Sequence, residues 1–486
     1  MTGHERALDA IVIGTGTAGL TVGTGLARFG RRVALIESAR VGGESTNVGS
    51  IPAGRLIRLA HDPALGGDPR RVLEDVRAMR DRLSSRERGD LERTENIELI
   101  TGRATLAPGR RVMVHRDDDS VRTLTAPHVV IATGSHPRRA DIPGLPDARH
   151  LTNETLFDLR EPPEHMAIVG AGAFGVEMAC AFARLGTRVS LIERGSWILP
   201  EADPEAAAVL AASLRRQGVD LHTDSRPVAY EPEGGVLTVG EPAGDRDIGG
   251  VDAVLSAVGR VPNADVAAGV VAIGPRGISV DSWGRTSEPG VWAVGDVTPW
   301  AHQAHGASAM ARRVVQRIAF PWMPALGRPP VMPSAVFSDP EVAWVGPGAA
   351  ERARRFVPGA LTEIRIDLPA TDRGLTDDVH HGFVAVSAAR GTGRVIAATI
   401  VGPHASEMLP LLTHAVAHGT SLLRLRRLVY AYPTHAAAIG AVADEFARRT
   451  LPHLHSELAA WGGRRVVGGM QRARDAVNPS RFLRRK

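Results

Sequence analysis

Two stretches of this chain are built on one plan, and that plan constrains the fold more than any other feature. The first runs Asp9-Ala10-Ile11-Val12-Ile13, then Gly14-Thr15-Gly16-Thr17-Ala18-Gly19, a helical segment to Phe29, and Arg32-Val33-Ala34-Leu35-Ile36 closing on Glu37. The second runs Met166-Ala167-Ile168-Val169, Gly170-Ala171-Gly172-Ala173-Phe174-Gly175, a helix to Leu185, and Arg188-Val189-Ser190-Leu191-Ile192 closing on Glu193. Such short apolar runs read as strands buried in a parallel sheet. A glycine pattern between strand and helix, with an acidic residue ending the next strand, reads as a βαβ dinucleotide-binding unit. In that reading Gly14 and Gly170 make the turn, Gly16 and Gly172 admit a pyrophosphate, and Gly19 and Gly175 let helix pack on strand. Helix N-terminal amides hold the phosphates, and Glu37 and Glu193 accept hydrogen bonds from ribose hydroxyls. Glycines kept for packing alone are the competing reading for either loop by itself. Two complete units point to two dinucleotide sites.

The rest of the chain fits around those units. Its 486 residues call for two to four domains, and 43% hydrophobic with 23% charged residues is ordinary for a globular protein. No run of eighteen apolar residues appears, and Met1 to Ala10 lacks a signal-peptide core, so a cytoplasmic protein is expected. Arg70 to Leu83 has helical periodicity, and Ser84 to Glu95 reads as its solvated continuation or a loop. Asn96 to Thr125 and Arg226 to Val251 read as strands and turns, and Asp203 to Gln217 as a helix with Pro204 in its first turn. Alternating strands from Val331 and apolar helices around Glu407–His418 and Thr434–Arg449 complete the chain. The expected domains are 1–155 and 266–330 for the first dinucleotide, 156–265 for the second, 331–450 for a last domain, and a tail at 451–486. That tail carries eight basic residues against Glu457 and Asp475, a net of +6, so the body sums to −1. A neutral body argues against nucleic acid.

With both glycine loops, several further segments resemble the class I pyridine nucleotide–disulfide oxidoreductases, such as dihydrolipoamide dehydrogenase, glutathione reductase and mercuric reductase. Ala132-Thr133-Gly134 and Ala257-Val258-Gly259-Arg260-Val261-Pro262-Asn263 match the family's two crossover signatures. Thr286 through Ala293-Val294-Gly295-Asp296 matches its flavin segment, in which the aspartate holds the ribityl chain. Val336-Phe337-Ser338-Asp339-Pro340-Glu341-Val342-Ala343 resembles the start of its dimerisation domain, and Thr371-Asp372-Arg373 is closest to the mercuric-reductase-like branch. The resemblance spans residues 8–450. It implies an α/β fold with two Rossmann-like domains, for FAD and NAD(P), plus a C-terminal α+β dimerisation domain. It also implies a homodimer, with Gly14, Gly16, Gly19, Glu37, Gly43, Thr133, Gly134, Gly259, Gly295 and Asp296 serving FAD. Gly170, Gly172, Gly175 and Glu193 would serve the nicotinamide nucleotide, NADH ahead of NADPH because a 2′-phosphate would meet the Glu193 carboxylate. Arg194 leaves NADPH open. No metal ligands are expected.

The departures from that family pattern carry the chemistry. Gly42-Gly43-Glu44-Ser45-Thr46-Asn47-Val48-Gly49-Ser50-Ile51-Pro52 looks like the family's redox segment with Ser45 and Ser50 at its two cysteine positions. The lysine expected after the proline is Gly54, with Arg55 adjacent, while its glutamate partner is kept as Glu177. The final His-Pro-Thr-x-x-Glu signature reads Tyr432-Pro433-Thr434-His435-Ala436-Ala437. A thiolate forms near neutral pH because cysteine titrates near 8.5, whereas a serine hydroxyl neither ionises there nor makes a disulfide. Cys180, the sole cysteine, sits among apolar helix residues and reads as a packing residue. Thiol chemistry and its acid–base pair are lost together, which excludes lipoamide and glutathione turnover, and the absence of a terminal Cys-Cys pair disfavours mercuric reduction.

What remains is hydride entry. The expected function is an FAD-dependent NAD(P)H oxidoreductase delivering electrons to a small-molecule, non-disulfide acceptor such as a quinone. The alternatives are a flavin-dependent tailoring enzyme acting on a specialised metabolite and a non-catalytic FAD-binding module. Ser45 and Ser50 would leave room for a flat acceptor, and Glu177 either stands near the flavin, with Arg55 as its nearest candidate partner, or is a solvated glutamate at a helix start. Tyr432 either contacts an aromatic acceptor or fills the dimer interface, and His435 either donates a proton or is a helix-cap or surface histidine. His302 and His305 either line the flavin or pack. The basic tail either meets an anionic membrane as a peripheral contact or is a solvated extension.

Overall fold

The computed structural model describes residues 7–62, 68–300, 303–323 and 330–450. The tail from 451, with its expected membrane contact, and His302 lie outside the described residues. The chain divides into two compact units, one of residues up to 332 with 336–339, the other of 333–335 with 340 onward.

The first unit holds two parallel five-stranded sheets, each centred on a glycine-loop strand. In one, strands Val291–Ala293, His128–Ile131, Ala10–Ile13, Val33–Glu37 and Ile97–Thr101 lie side by side in that order. In the other the order is Asp220–His222, Arg188–Ile192, His165–Val169, Ala253–Ser256 and His150–Leu151. Ala10–Ile13 is buried throughout because parallel strands covered on both faces need continuous apolar side chains. Helix Thr17–Arg28 covers one face of the first sheet through Ala18, Val22 and Leu26, which share a core with Val12, Leu35 and Val130. Ile11, Ile13, Ile36 and Ile131 fill the other face. The two sheets are joined by a ribbon in which Ser135–Pro137 pairs antiparallel with Arg260–Pro262, so both crossover signatures meet.

Antiparallel meanders flank both sheets, at 103–125 and 226–248. The expected ambiguity after Leu83 resolves as one helix, Pro69–Arg93. Ser84 and Leu91 are buried along it, and Arg86–Asp90 and Arg88–Glu92 pair one turn apart on its outer side. Pro204 opens helix Pro204–Arg216, where its missing amide costs nothing.

The second unit is an antiparallel sheet of five strands, in the order Pro333–Val336, Glu341–Val345, Val395–Gly402, Phe383–Ala389 and Leu361–Asp367. Helix Ala405–His418 packs on its central strands through Met408, Leu409, Leu412 and Ala415. A last helix occupies 437–450, three residues later than expected, because Thr434–Ala436 form the turn that enters it. No described helix is long and apolar enough to cross a membrane.

Candidate functional site

The two glycine loops fold alike. Gly14 and Gly170 take φ +101 and +102, a region barred to side chains, and so turn the chain sharply off each strand. A Cβ on Gly19 would lie 1.9 Å from the Gly14 carbonyl oxygen, and one on Gly175 1.9 Å from that of Gly170. Only hydrogen fits where helix meets turn. The helices start at Thr17 and Ala173 with no side chain capping their amides, which leaves those donors for an anion. Glu37 accepts the Thr15 amide at 2.9 Å and the Ala39 amide at 2.9 Å, while Glu193 accepts from Ala171 and Gly195 at 2.8 Å each. Both carboxylates are thus locked at the loop's edge with spare lone pairs for hydroxyls. The residues therefore fit two dinucleotides.

The serine segment packs directly on the first loop. Gly43, at φ +58, brings its backbone so near Gly16 that a Cβ would sit 2.5 Å from the Gly16 Cα. Ser45 begins life in the short helix Gly43–Asn47 and accepts the Thr17 hydroxyl at 3.1 Å. Ser50 opens helix Ser50–Ala60 and is exposed. Thr133 and Asn263 tie the crossovers together, the Thr133 hydroxyl donating to the Asn263 carbonyl at 2.8 Å and Asn263 Nδ2 to the Thr133 carbonyl at 2.9 Å. Gly134 and Gly259 turn those segments at φ +67 and +98. Gly295 stands against Ala18 of the first glycine-loop helix, and Asp296 Oδ2 accepts the Ser135 hydroxyl at 3.2 Å. Ser45, the first loop, the crossovers and Asp296 therefore converge in one unit.

Glu177 lies on helix Ala173–Arg184, which packs against helix Ser50–Ala60. Its carboxyl is pushed up to about 7 by burial, opposed by the Phe337 amide that it accepts at 3.0 Å. The expected partner fails: Arg55 Nε donates to Asp75 at 2.7 Å instead, and among the described residues no cation pairs with Glu177. The side chain of Arg55 leaves its helix toward Pro69–Arg93, because Asp75 lies on that helix. Gly54 is exposed, with no atom within 4 Å of where a Cβ would stand. Cys180, one turn after Glu177, has no exposed surface, and burial pushes its thiol up to about 11.

Sequence reasoning passed over three residues beside the serines. Glu44 pairs with Arg260 at 2.6 Å, and Asn153 Nδ2 reaches Glu44 Oε1 at 3.4 Å and the Val48 carbonyl at 3.1 Å. The one available signal was an acidic residue inside an apolar, glycine-rich motif. Burial pushes the Glu44 carboxyl up to about 7 despite Arg260, with the charges of Asp296 and Glu154 adding to the rise.

Tyr432 and His435 belong to the second unit. Tyr432 is 76% exposed, and its phenol donates to Asp372 at 3.0 Å, a bond that pushes the phenol upward. His435 is buried, which removes the surface reading. Its Nε2 meets Asp377 Oδ2 at 2.9 Å, while Nδ1 is buried without a partner. Arg373, and then His435, hold Asp377 below the usual carboxylate range. His305 is exposed on helix Ala304–Ala319.

Comparison with known proteins agrees with this arrangement. A family described as pyridine nucleotide-disulphide oxidoreductase matches residues 8–311, and its dimerisation domain matches 332–443. The mercuric reductase of Acidithiobacillus ferrooxidans is 31% identical over 92% of this chain and 84% of its own length. The dihydrolipoyl dehydrogenase of Geobacillus stearothermophilus is 30% identical over 91% and 96%. Among solved structures, the HOCl-induced flavoprotein disulfide reductase RclA of Escherichia coli superposes with TM-score 0.80 at 26% identity, over 90% of this chain and 99% of its own. LpdA of Mycobacterium tuberculosis does so with TM-score 0.80 at 26% identity, over 90% and 100%. The chain belongs to the pyridine nucleotide-disulfide oxidoreductase family, flavoproteins that carry FAD, use NAD(P)H and share its dimerisation domain.

Proposed function

We propose that this flavoprotein takes hydride from NAD(P)H and passes the electrons to a small-molecule acceptor other than a disulfide, a quinone being the class that fits best. The observation that carries this reading is the pairing of Ser45 and Ser50 with a sole cysteine that is sealed in a helix. A thiol without exposed surface, and protonated well past neutral pH, offers no relay. FAD, when bound, supplies the two-electron centre; the protein's residues orient it and its donor. Glu37, fixed by Thr15, and the uncapped amides from Thr17 onward would hold it at one loop, with Asp296 along its chain. The Glu193 carboxylate, fixed by the Ala171 and Gly195 amides, and the uncapped amides from Ala173 onward would hold the nicotinamide nucleotide at the other. Serine hydroxyls are smaller than thiols, so the segment leaves room for a flat acceptor. Tyr432, exposed and tethered to Asp372, suits a role at a subunit interface of the homodimer. The test is stopped-flow absorbance of the purified protein. NADH is expected to bleach the flavin band within seconds, and a benzoquinone to restore it, while lipoamide leaves it bleached. Failure of both nicotinamides to bleach it removes the proposal.

Glu193 also predicts the choice of donor. An anionic 2′-phosphate beside its fixed carboxylate is repelled, so NADH is the expected substrate. Glu193→Ala is expected to raise the NADPH-to-NADH ratio of kcat/KM about tenfold, equivalent to ~1.4 kcal/mol of discrimination. Steady-state kinetics with both nucleotides decide it. An unchanged ratio places the discrimination elsewhere.

A further inference from the structure

The segment that bears the two serines has no covalent tie across it, yet it is gripped from both ends. Asn47 Nδ2 donates to the carbonyls of Val41 and Gly43, at 3.0 and 2.8 Å, and pins the entrance. Asn153, itself buried, bridges the Glu44 carboxylate and the Val48 carbonyl from outside. Arg260 closes the clamp. It meets Glu44 Oε2 at 2.6 Å, reaches Asn153 Oδ1 at 3.4 Å, and is anchored on Ser135 through Nε to the hydroxyl at 2.7 Å and Nη2 to the carbonyl at 2.8 Å. Ser135 continues the chain to Asp296. One hydrogen-bonded line therefore runs from the serine segment, across the crossover ribbon, to the flavin-signature aspartate.

We infer that Glu44 is a proton-linked positioning residue: its ionised carboxylate locks residues 44–50 onto Arg260 and Asn153, and its protonation loosens that segment. An ionised acceptor makes the stronger bond to a guanidinium, and a neutral carboxyl gives up that charge assistance. The charged groups that face Glu44 are Arg260, Asp296 and Glu154; the first favours the anion and the other two oppose it. Burial places the balance near neutrality, so the segment passes from loose to locked as pH rises through about 7. The inference goes beyond the acceptor reading, since no step of acceptor reduction enters it.

The measurement is amide hydrogen exchange of the FAD-loaded protein, read by mass spectrometry at pH 6 and pH 8 and corrected for intrinsic rates. In the wild type, protection of residues 44–50 is expected to fall about fivefold at pH 6, the scale of losing one charge-assisted bond. In Glu44→Gln, protection should sit at the lower level at both pH values. Asn153→Ala, which leaves Glu44 and Arg260 in place, should lower protection at both. A wild-type segment equally protected at pH 6 and pH 8 overturns the inference without any variant. A Glu44→Gln protein that keeps the wild-type pH response overturns it as well, because another group would then be titrating.

Discussion

Gly19→Ala is expected to purify without its yellow flavin, whereas Gly175→Ala keeps the flavin and loses its response to NADH. Each added methyl would lie 1.9 Å from a carbonyl oxygen, of Gly14 or Gly170. That oxygen belongs to backbone inside a strand–turn–helix junction, so no flexible side chain can yield. The helix must instead lift from its strand, a form of overpacking that costs at least about 1–3 kcal/mol and spoils the anion-binding amides. Flavin content below a tenth of wild type is the expected reading for Gly19→Ala. For Gly175→Ala, the NADH concentration giving half-maximal bleaching should rise at least tenfold. Gly172→Ala is the control, because Gly172 has an ordinary φ of −72 and nothing stands within 4 Å of its missing Cβ. Any loss of NADH response in that variant must come from the ligand's own approach. A Gly19→Ala protein with full flavin occupancy and unchanged Tm would defeat the assignment of the first loop.

Gly54→Lys is expected to restore a cation beside Glu177 and move its titration from about 7 into the ordinary carboxylate range. A lysine side chain has open space at Gly54, on a helix packed against the one that bears Glu177. The linkage has a definite sign. Glu177's carboxyl is raised from 4.5 to about 7, so the native state binds its proton more tightly than the unfolded chain does. The associated stability is present below pH 4.5 and is lost as pH rises through about 7, to a bound of about 3 kcal/mol. Glu177→Gln removes that loss, so its Tm should exceed the wild type's at pH 8 and match it near pH 4.5. In Gly54→Lys the pH dependence of flavin bleaching by NADH should flatten between pH 6 and 8. A wild-type bleaching rate that is already flat across that range would show that Glu177 does not govern the step.

Much of this architecture was legible in the residues themselves. The strands Ala10–Ile13 and His165–Val169 announce themselves because burial on both faces demands unbroken apolar runs. The glycine loops do so because a turn at φ near +100 and a helix packed on backbone each exclude a side chain. Pro204 marked a helix start for an equally local reason. The length of helix Pro69–Arg93 was not legible. Its second half is charged on nearly every turn, and only tertiary burial of Ser84 and Leu91 shows that it continues.

Side-chain partnership is the feature least legible in the residues. Adjacency suggested Arg55 for Glu177, but neighbours on a helix point about 100° apart, and Arg55 found Asp75 on a helix that sequence distance hides. The burial of His435 was hidden because nothing local reveals that Asp377, fifty-eight positions earlier, meets it. Glu44 was in plain view within the serine motif, yet its partners Asn153 and Arg260 lie 109 and 216 positions away.

Taken alone, the order of residues determined the two nucleotide loops, the serines at 45 and 50, and the loss of any second thiol, since each depends only on which side chains are present and how they are spaced. Tertiary structure alone decided the protonation of Glu44 and Glu177 and the grip on the serine segment. A carboxyl's affinity for its proton is set by the water, charges and amides around it, and those are delivered by parts of the chain that meet only when it folds.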